Sequence, residues 1–312
     1  MPESDNCNGK PQKIYINNLD DLIREVISFE SDPTEKDSKG NPLKNLLWYR
    51  GLKSSNYNLV PRLFRTIDLE KGDLLSQLPK IEQELLQDFR VRNYHMISRL
   101  PENDLTWLSM MQHYEISTRL LDWSEQLLVS LFFALDDYIL ALENKVDYVP
   151  SLWCLKPIEL NKQTIKYLDL FLDRNKLPDM FSIFPSDSKH KPGIREKYNL
   201  ALFSTKEKYV EIKSTKDEFY PLAIISPYNN ERIRAQSGTF TLFPSNINKL
   251  VASMDDCAME LLPNASTFLR QFVILKPVEM RQELKTIGFK KSLIFPELPV
   301  IAKELEQNQF NI

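Results

Sequence analysis

Three short clusters put polar, chemistry-capable residues inside segments that otherwise want to be buried. In Tyr49-Arg50-Gly51 a guanidinium ends an apolar run and is followed by a residue without a side chain. That order lets a ligand approach the backbone while Arg50 holds an anion, and it equally suits a surface arginine in a tight turn. The run from Gln112 to Trp123 gathers an amide, an imidazole, hydroxyls, a guanidinium and carboxylates in QHYEISTRLLDW. Here Asp122 can orient the planar fork of Arg119 toward a phosphate or carboxylate. The same two residues suit a structural pair capping the next helix. His113 can act in general acid–base chemistry or serve as a hydrogen-bonded packing ring. The third cluster, Arg232 to Phe240 (RIRAQSGTF), offers the Gln236 amide and, at Gly238, room for close backbone approach. Arg234, Ser237 and, from the second cluster, Thr118 complete the candidate ligand contacts. A β-turn with exposed arginines is the plainer reading of that third segment.

The elements that must position these clusters read as a mixture of helices and strands. Lys13–Asn17 and Leu46–Arg50 alternate like strands, the second stopping at Gly51. Helices are expected over 19–29, 81–100 and 105–113, with the second cluster forming a loop before the next helix. Ser124 is a natural cap for that helix, which runs to Leu142 and is apolar almost all round, so it belongs at the centre of the domain. The stretch 31–42 (SDPTEKDSKGNP) reads as a charged loop, and Lys53–Phe64 as extended chain broken by Pro61. The second half reads as short strands at 152–155, 222–225, 239–243 and 272–275, an exposed loop at Ser186–Gly193, and a terminal helix at Leu298–Glu306. Leu-Lys-Pro occurs at both 155–157 and 275–277, too short a match for a repeat. The fold expected is a single α+β domain over residues 13–312, a short mixed sheet packed on the buried apolar helix. Residues 1–12 are expected to be disordered.

Bulk properties narrow the function classes. The chain has 312 residues, 42% hydrophobic and 27% charged, with 40 Lys plus Arg against 43 Asp plus Glu. Near-balance argues against a generally basic nucleic-acid binder, though not against a local basic cleft. The three cysteines, Cys7, Cys154 and Cys257, form no CxxC pair, and with only His95, His113 and His190 no metal site is expected. Reduced thiols point to the cytoplasm. The start, MPESDNCNGKPQK, lacks the apolar core of a secretion signal, and the Leu127–Leu135 run is too short to span a bilayer. Seven glycines, with neither GxGxxG nor GxxxxGK[ST], disfavour a Gly-rich phosphate loop.

Taken together, the clusters resemble the FRG domain, a family named for an aromatic-Arg-Gly motif. Tyr49-Arg50-Gly51 fits that motif, and Leu59-Val60-Pro61-Arg62-Leu63-Phe64-Arg65 is similar to the extended segment that follows it. Gln112-His113-Tyr114 with Thr118-Arg119-Leu120-Leu121-Asp122-Trp123 resembles the family's most distinctive run. Arg234, Gln236, Gly238 and Phe240 resemble its third motif, and Phe295-Pro296-Glu297-Leu298 a signature near its end. The resemblance spans about residues 45–305. Arg62 stands where the family often has Ser, and Glu115 where Gly is common. The resemblance implies a bacterial or phage-related setting and leaves the activity open.

Tyr49-Arg50-Gly51 also looks like the first motif of arginine-type ADP-ribosyltransferases. That likeness implies that Arg50 holds NAD as substrate and that Gly51 binds its nicotinamide amide. Loss of nicotinamide creates an oxocarbenium-like centre for a carboxylate to stabilise, and Arg50, Arg119 and Arg234 could neutralise the diphosphate. The group's Ser-Thr-Ser motif is absent, and no Gln-x-Glu or Glu-x-Glu triplet falls at a strand end. Glu82-Gln83-Glu84 and Glu304-Leu305-Glu306 lie in expected helices, leaving Glu297, Glu231 and Asp122 as candidates by position. A second reading is a binding or sensor module for a nucleotide or phosphorylated ligand, which needs no such glutamate. A metal-dependent hydrolase ranks last, because the carboxylates at Asp136-Asp137 and Asp255-Asp256 are dispersed. Arg50, Arg119, Asp122 and Gln236, with His113 beside them, are expected to converge on one anion-binding pocket, with Gly51 and Gly238 opening the backbone. The partner is an anionic small molecule or nucleotide, any protein or nucleic-acid target being unspecified, and no membrane is involved.

Overall fold

The computed structural model describes residues 9–36, 42–44, 46–66, 74–97, 100–101, 104–143, 148–167, 181–182, 221–225, 231–243 and 257–310. The expectations for residues 1–8, for the 186–193 loop and for Asp255-Asp256 fall outside these. In chain order the first elements are β1 (Gln12–Ile16), α1 (Leu19–Glu30), β2 (Ser31–Lys36), β3 (Pro42–Lys44) and β4 (Trp48–Leu52). Next come α2 (Arg62–Arg65), α3 (Leu74–Asn93), α4 (Asp104–His113), β5 (Leu120–Ser124) and α5 (Leu127–Glu143). Then follow β6 (Ser151–Leu155), α6 (Pro157–Tyr167), β7 (Phe181–Ser182), β8 (Leu222–Ile225), α7 (Glu231–Gln236) and β9 (Gly238–Leu242). The last are α8 (Ala265–Phe268), β10 (Leu269–Ile274), α9 (Pro277–Thr286) and α10 (Leu298–Phe310).

The main sheet is mixed and eight-stranded, in the order β1-β10-β6-β4-β5-β9-β8-β7. β1 runs parallel to β10, and β7 to β8, while the six central strands pair antiparallel. The pairing is uneven. β4 meets β6 over Trp48↔Leu155 through Leu52↔Ser151, and β5 meets β9 over Leu120↔Leu242 through Ser124↔Gly238. Between β4 and β5 the only bridged pair is Tyr49↔Ser124. The sheet is therefore two well-knit halves joined at one point.

Alternation along the strands assigns the faces. Tyr49, Leu152, Cys154, Phe272 and Ile274 pack against α1, α5 and α9 through Leu22, Val26, Leu131, Ala134, Met280 and Leu284. Trp48, Trp153, Leu155 and Trp123 point the other way, into a cluster with Leu59, Leu63, Phe64, Leu78 and Phe268. On the β5-β9-β8 half, Leu120, Phe240, Leu242 and Ile224 face α3 and α4 through Leu86, Phe89, Leu105, Leu108 and Met111. The expected mixed sheet on a buried apolar helix is present, α5 being that helix.

Several local expectations are corrected. Leu120–Ser124 is a strand rather than part of a loop, and the 232–240 segment is a short helix followed by a strand. Stretch 31–42 contributes β2, which pairs antiparallel with β3, where a loop was expected. Ser124 closes β5 and does not cap α5; its hydroxyl accepts from Gln126 N at 3.0 Å, one residue before the helix begins. The twin Leu-Lys-Pro tripeptides do the same job twice. Each ends a strand, and Pro157 and Pro277 then start α6 and α9, since proline's fixed φ and missing N–H suit the first helical position.

Candidate ligand site at the seam of the sheet

A cavity of about 600 Å³ opens where β4 and β5 part company. β4 contributes Tyr49, Arg50, Gly51 and Leu52 to its wall, β5 contributes Asp122, Trp123 and Ser124, and β9 contributes Gly238, Thr239 and Phe240. α4 adds Ser109, Gln112 and His113, which its helical period places on one face. α5 adds Val129, Ser130 and Phe133, and α7 adds Arg232, Ile233 and Gln236. Lys53 and Tyr57 come from the segment after β4, and Arg65 from the end of α2.

At the centre is a directional hydrogen-bond chain. Leu120 N donates to Thr118 Oγ1 at 3.2 Å, and Thr118 Oγ1 donates to Gln112 Oε1 at 2.5 Å. With its oxygen so engaged, the Gln112 amide turns its nitrogen to Asp122 Oδ2 at 3.0 Å. Arg50 Nη1 donates to the Asp122 carbonyl at 2.6 Å and stands 3.6 Å from Oδ2. Arg50 thus bridges the seam, from the β4 lip to β5. Its side chain is 18% exposed and that of Asp122 51%, so the pair is open to a ligand from the carboxylate side.

The wall is cationic. Arg50, Lys53, Arg65 and Arg232 stand against Glu115 and Asp122. Lys53 Nζ lies 5.9 Å from the Tyr57 ring and 5.7 Å from that of Tyr148, and the Arg232 guanidinium sits 4.5 Å over Phe295. His113 is pushed below the usual imidazole range by burial and by Arg232, with Glu297 acting the other way. Ser109 and Thr239 are buried wall residues whose hydroxyls have no hydrogen-bond partner among the described residues. Groups placed this way are costly unless something satisfies them.

The structure brings Arg50, His113, Asp122 and Gln236 to one cavity, with Tyr49, Gly51 and Gly238 in its wall. It does not bring Arg119. That side chain is 1% exposed, and its Nε lies 2.8 Å from Glu82 Oε2 inside the protein, with Nη1 3.4 Å from the Phe243 carbonyl. The shared-site expectation is corrected for Arg119, whose acidic partner is Glu82 and not Asp122. Burial holds the Glu82 carboxyl above its usual range, while the guanidinium and backbone amide of Arg119 pull against it. Thr118 is fully buried and acts through Gln112 instead of lining the cavity. Arg234 is exposed and outside the wall, and Ser237 is engaged by Gln126 Nε2 at 2.6 Å. Gln236 lines the wall while its amide nitrogen donates to the Ile294 carbonyl at 3.1 Å.

Gly51 has a packing reason of its own. A Cβ there would overlap the Ser130 carbonyl and lie 2.7 Å from Ala134 N. The missing side chain makes room for α5, and Gly51 also lines the cavity. Ser130 Oγ then donates to the Tyr49 carbonyl at 2.8 Å, fixing the helix to the strand. Gly238 has ordinary space, with Ile233 Cγ2 at 3.4 Å from the equivalent point. Glu115 adopts φ 63°, the left-handed conformation that glycine takes without strain, at the position where the resembling family commonly has Gly.

Sequence reasoning missed Ser109, Lys53, Tyr57, Arg65 and the two halves of the seam. For Ser109 a signal existed: it lies three and four residues before Gln112 and His113 on a predicted helix. Among the described residues no group of three or more His, Cys, Asp or Glu is placed to hold a metal ion, and no helix is long and apolar enough to cross a membrane. No curated protein and no solved structure matches the chain. The family model described as FRG domain matches residues 45–140, which carry β4, the distinctive Gln112–Trp123 run and most of α5; the resemblances at 234–240 and 295–298 lie beyond the matched span. The chain carries an FRG domain, and that domain contributes Arg50, Gln112, His113 and Asp122 to the cavity.

Proposed function

We propose that the cavity binds a nucleotide-type anion, NAD first among the candidates. The observation that carries this reading is a single cavity of about 600 Å³ with four cationic side chains against two carboxylates, interleaved with aromatic rings. That volume is within the range of about 300–1,000 Å³ typical of small-molecule sites. Cations suit a phosphate or diphosphate, rings suit a base, and Arg50 is held at the middle by the Asp122 carbonyl.

In its enzymatic form the proposal is an ADP-ribosyltransferase or NAD hydrolase working in the bacterial or phage-related setting that the family resemblance implies, in the cytoplasm. Asp122 is the carboxylate assigned to the developing positive charge at the ribose carbon. The nicotinamide–ribose bond breaks, nicotinamide leaves with the bonding pair, and water or a target nucleophile adds at that carbon and gives up a proton. A specific observation favours the alternative of a non-catalytic sensor: Asp122 is already engaged by Arg50 and Gln112.

Incubating the purified chain with NAD tests both forms, with binding measured by calorimetry and free nicotinamide by chromatography. Arg50→Ala and Arg50→Lys run alongside, with thermal melts as a folding control. A folded Arg50→Ala is expected to lose at least tenfold in NAD affinity, Arg50→Lys less. Binding with nicotinamide release identifies an enzyme, and binding with NAD recovered intact identifies a sensor. Full NAD affinity in Arg50→Ala, or no affinity of the wild type for any nucleotide, overturns the proposal.

A further inference from the structure

The cavity face of α4 differs in character from the rest of the wall. Leu105, Leu108 and Met111 of this helix enter the core, which leaves Ser109, Gln112 and His113 toward the cavity. Gln112 is committed at both ends, to Thr118 and to Asp122. Ser109 is 1% exposed, and its hydroxyl has no partner among the described residues. A helical serine ordinarily turns its hydroxyl back to a carbonyl of the preceding turn, so an unmatched one in a cavity wall marks a place where an incoming group completes the bonding. His113, four residues on, is its neighbour on the same face. Burial and Arg232 favour the uncharged imidazole against the pull of Glu297, and an uncharged imidazole offers one donor and one acceptor. The cations of the wall come from other elements: Arg50 from β4, Lys53 from the segment after it, Arg65 from α2, and Arg232 from α7.

We propose that Ser109 and His113 form a specificity subsite for the uncharged, hydrogen-bonding ring of the ligand, a nucleobase edge or ring carboxamide, while the cations of the other elements take its phosphate. This rests on the nucleotide reading of the cavity and adds to it a division between a neutral and an anionic half. It makes α4 the element that tells a nucleotide from a bare phosphate compound.

The test is calorimetric titration of the full chain with four probes: NAD, AMP, ribose 5-phosphate and inorganic pyrophosphate. Ser109→Ala, Ser109→Thr and His113→Phe are compared with wild type, each checked by thermal melting. Ser109→Ala removes an unmatched hydroxyl, so its melting temperature is expected to hold or rise. Its affinity for NAD or AMP is expected to fall about tenfold, one hydrogen bond's worth, while affinity for pyrophosphate and ribose 5-phosphate stays within twofold. Ser109→Thr, which keeps the hydroxyl, is expected to retain more of the NAD or AMP affinity, and His113→Phe to show the same selective loss as Ser109→Ala. Wild-type affinity for NAD and AMP in Ser109→Ala, as when a trapped water alone satisfies the hydroxyl, overturns the subsite. Equal loss for all four probes overturns it as well. Wild type that binds pyrophosphate but neither NAD nor AMP overturns the subsite and leaves an anion site standing. If wild type binds none of the four, the nucleotide reading fails first and the subsite with it.

Discussion

Arg119 and Glu82 form a salt bridge inside the protein, where neither side chain is exposed to water. Removing one partner of such a pair leaves an uncompensated charge and typically costs about 3–5 kcal/mol, whereas replacing both with apolar residues of similar size can be nearly neutral. Arg119→Met alone is therefore expected to lower stability by about that amount in urea unfolding, and Arg119→Met with Glu82→Leu to recover much of it. No recovery in the double variant would show that the pair's backbone hydrogen bonds, not its charges, hold this region. The residue scale also shows where the sequence misled. Arg119 sits three residues from Asp122, so the nearest carboxylate looked like its partner. Glu82 is 37 positions upstream, yet it falls with Leu78, Leu86 and Phe89 on the buried stripe of α3. A carboxylate at a core position is a legible request for a buried cation, and Arg119 answers it. Arg50, Asp122, His113 and Gln236 were legible by residue type, because polar groups in apolar segments seldom occur without a structural or chemical reason.

At the scale of elements, the contact between α5 and β4 decides whether the cavity has a floor. Gly51 lets the helix backbone sit against the strand, and the Ser130 hydroxyl ties the two together. Gly51→Ala asks a methyl group to occupy the place of the Ser130 carbonyl, and overpacking of this kind costs about 1–3 kcal/mol or more. The expected result is a marked drop in the urea midpoint or failure to accumulate folded protein. Gly238→Ala, where only ordinary contacts await the methyl, serves as the control and is expected to be tolerated. Comparable loss at both positions would mean that backbone freedom matters more than the approach of α5. The apolar character of α5 made its burial readable from sequence. The need for a glycine beneath it was not, since that need arises from how closely two elements cross. The strand at 120–124 escaped for a related reason: five residues between two helices read as a connection until β9, more than a hundred positions away, pairs with them.

Across the whole molecule, charge and pH act on the same half-buried histidine. The folded state lowers the affinity of His113 for a proton, chiefly through burial and then through Arg232. The unfolded chain, with a histidine of pKa about 6.5, binds the proton more readily, so protonation favours unfolding. The stability that His113 contributes is complete above that value and is lost as pH falls through the lower, folded one. Thermal melts from pH 8 to 5 should show a decline below about 6.5 that is shallower in His113→Phe. An identical profile in the variant would assign the decline to other groups. The order of the sheet was beyond sequence reasoning altogether, because six strands were recognised in type but nothing local states who pairs with whom.

The single bridge between Tyr49 and Ser124 has a mechanical consequence. Strands knit along their length open and close together, whereas halves riveted at one residue pair can breathe as separate cooperative units. Arg50, reaching from one lip to the carbonyl of Asp122 on the other, is a second rivet made of a side chain. A molecule lodged between the lips would add further rivets, and its binding would be felt in both halves as a loss of their independence.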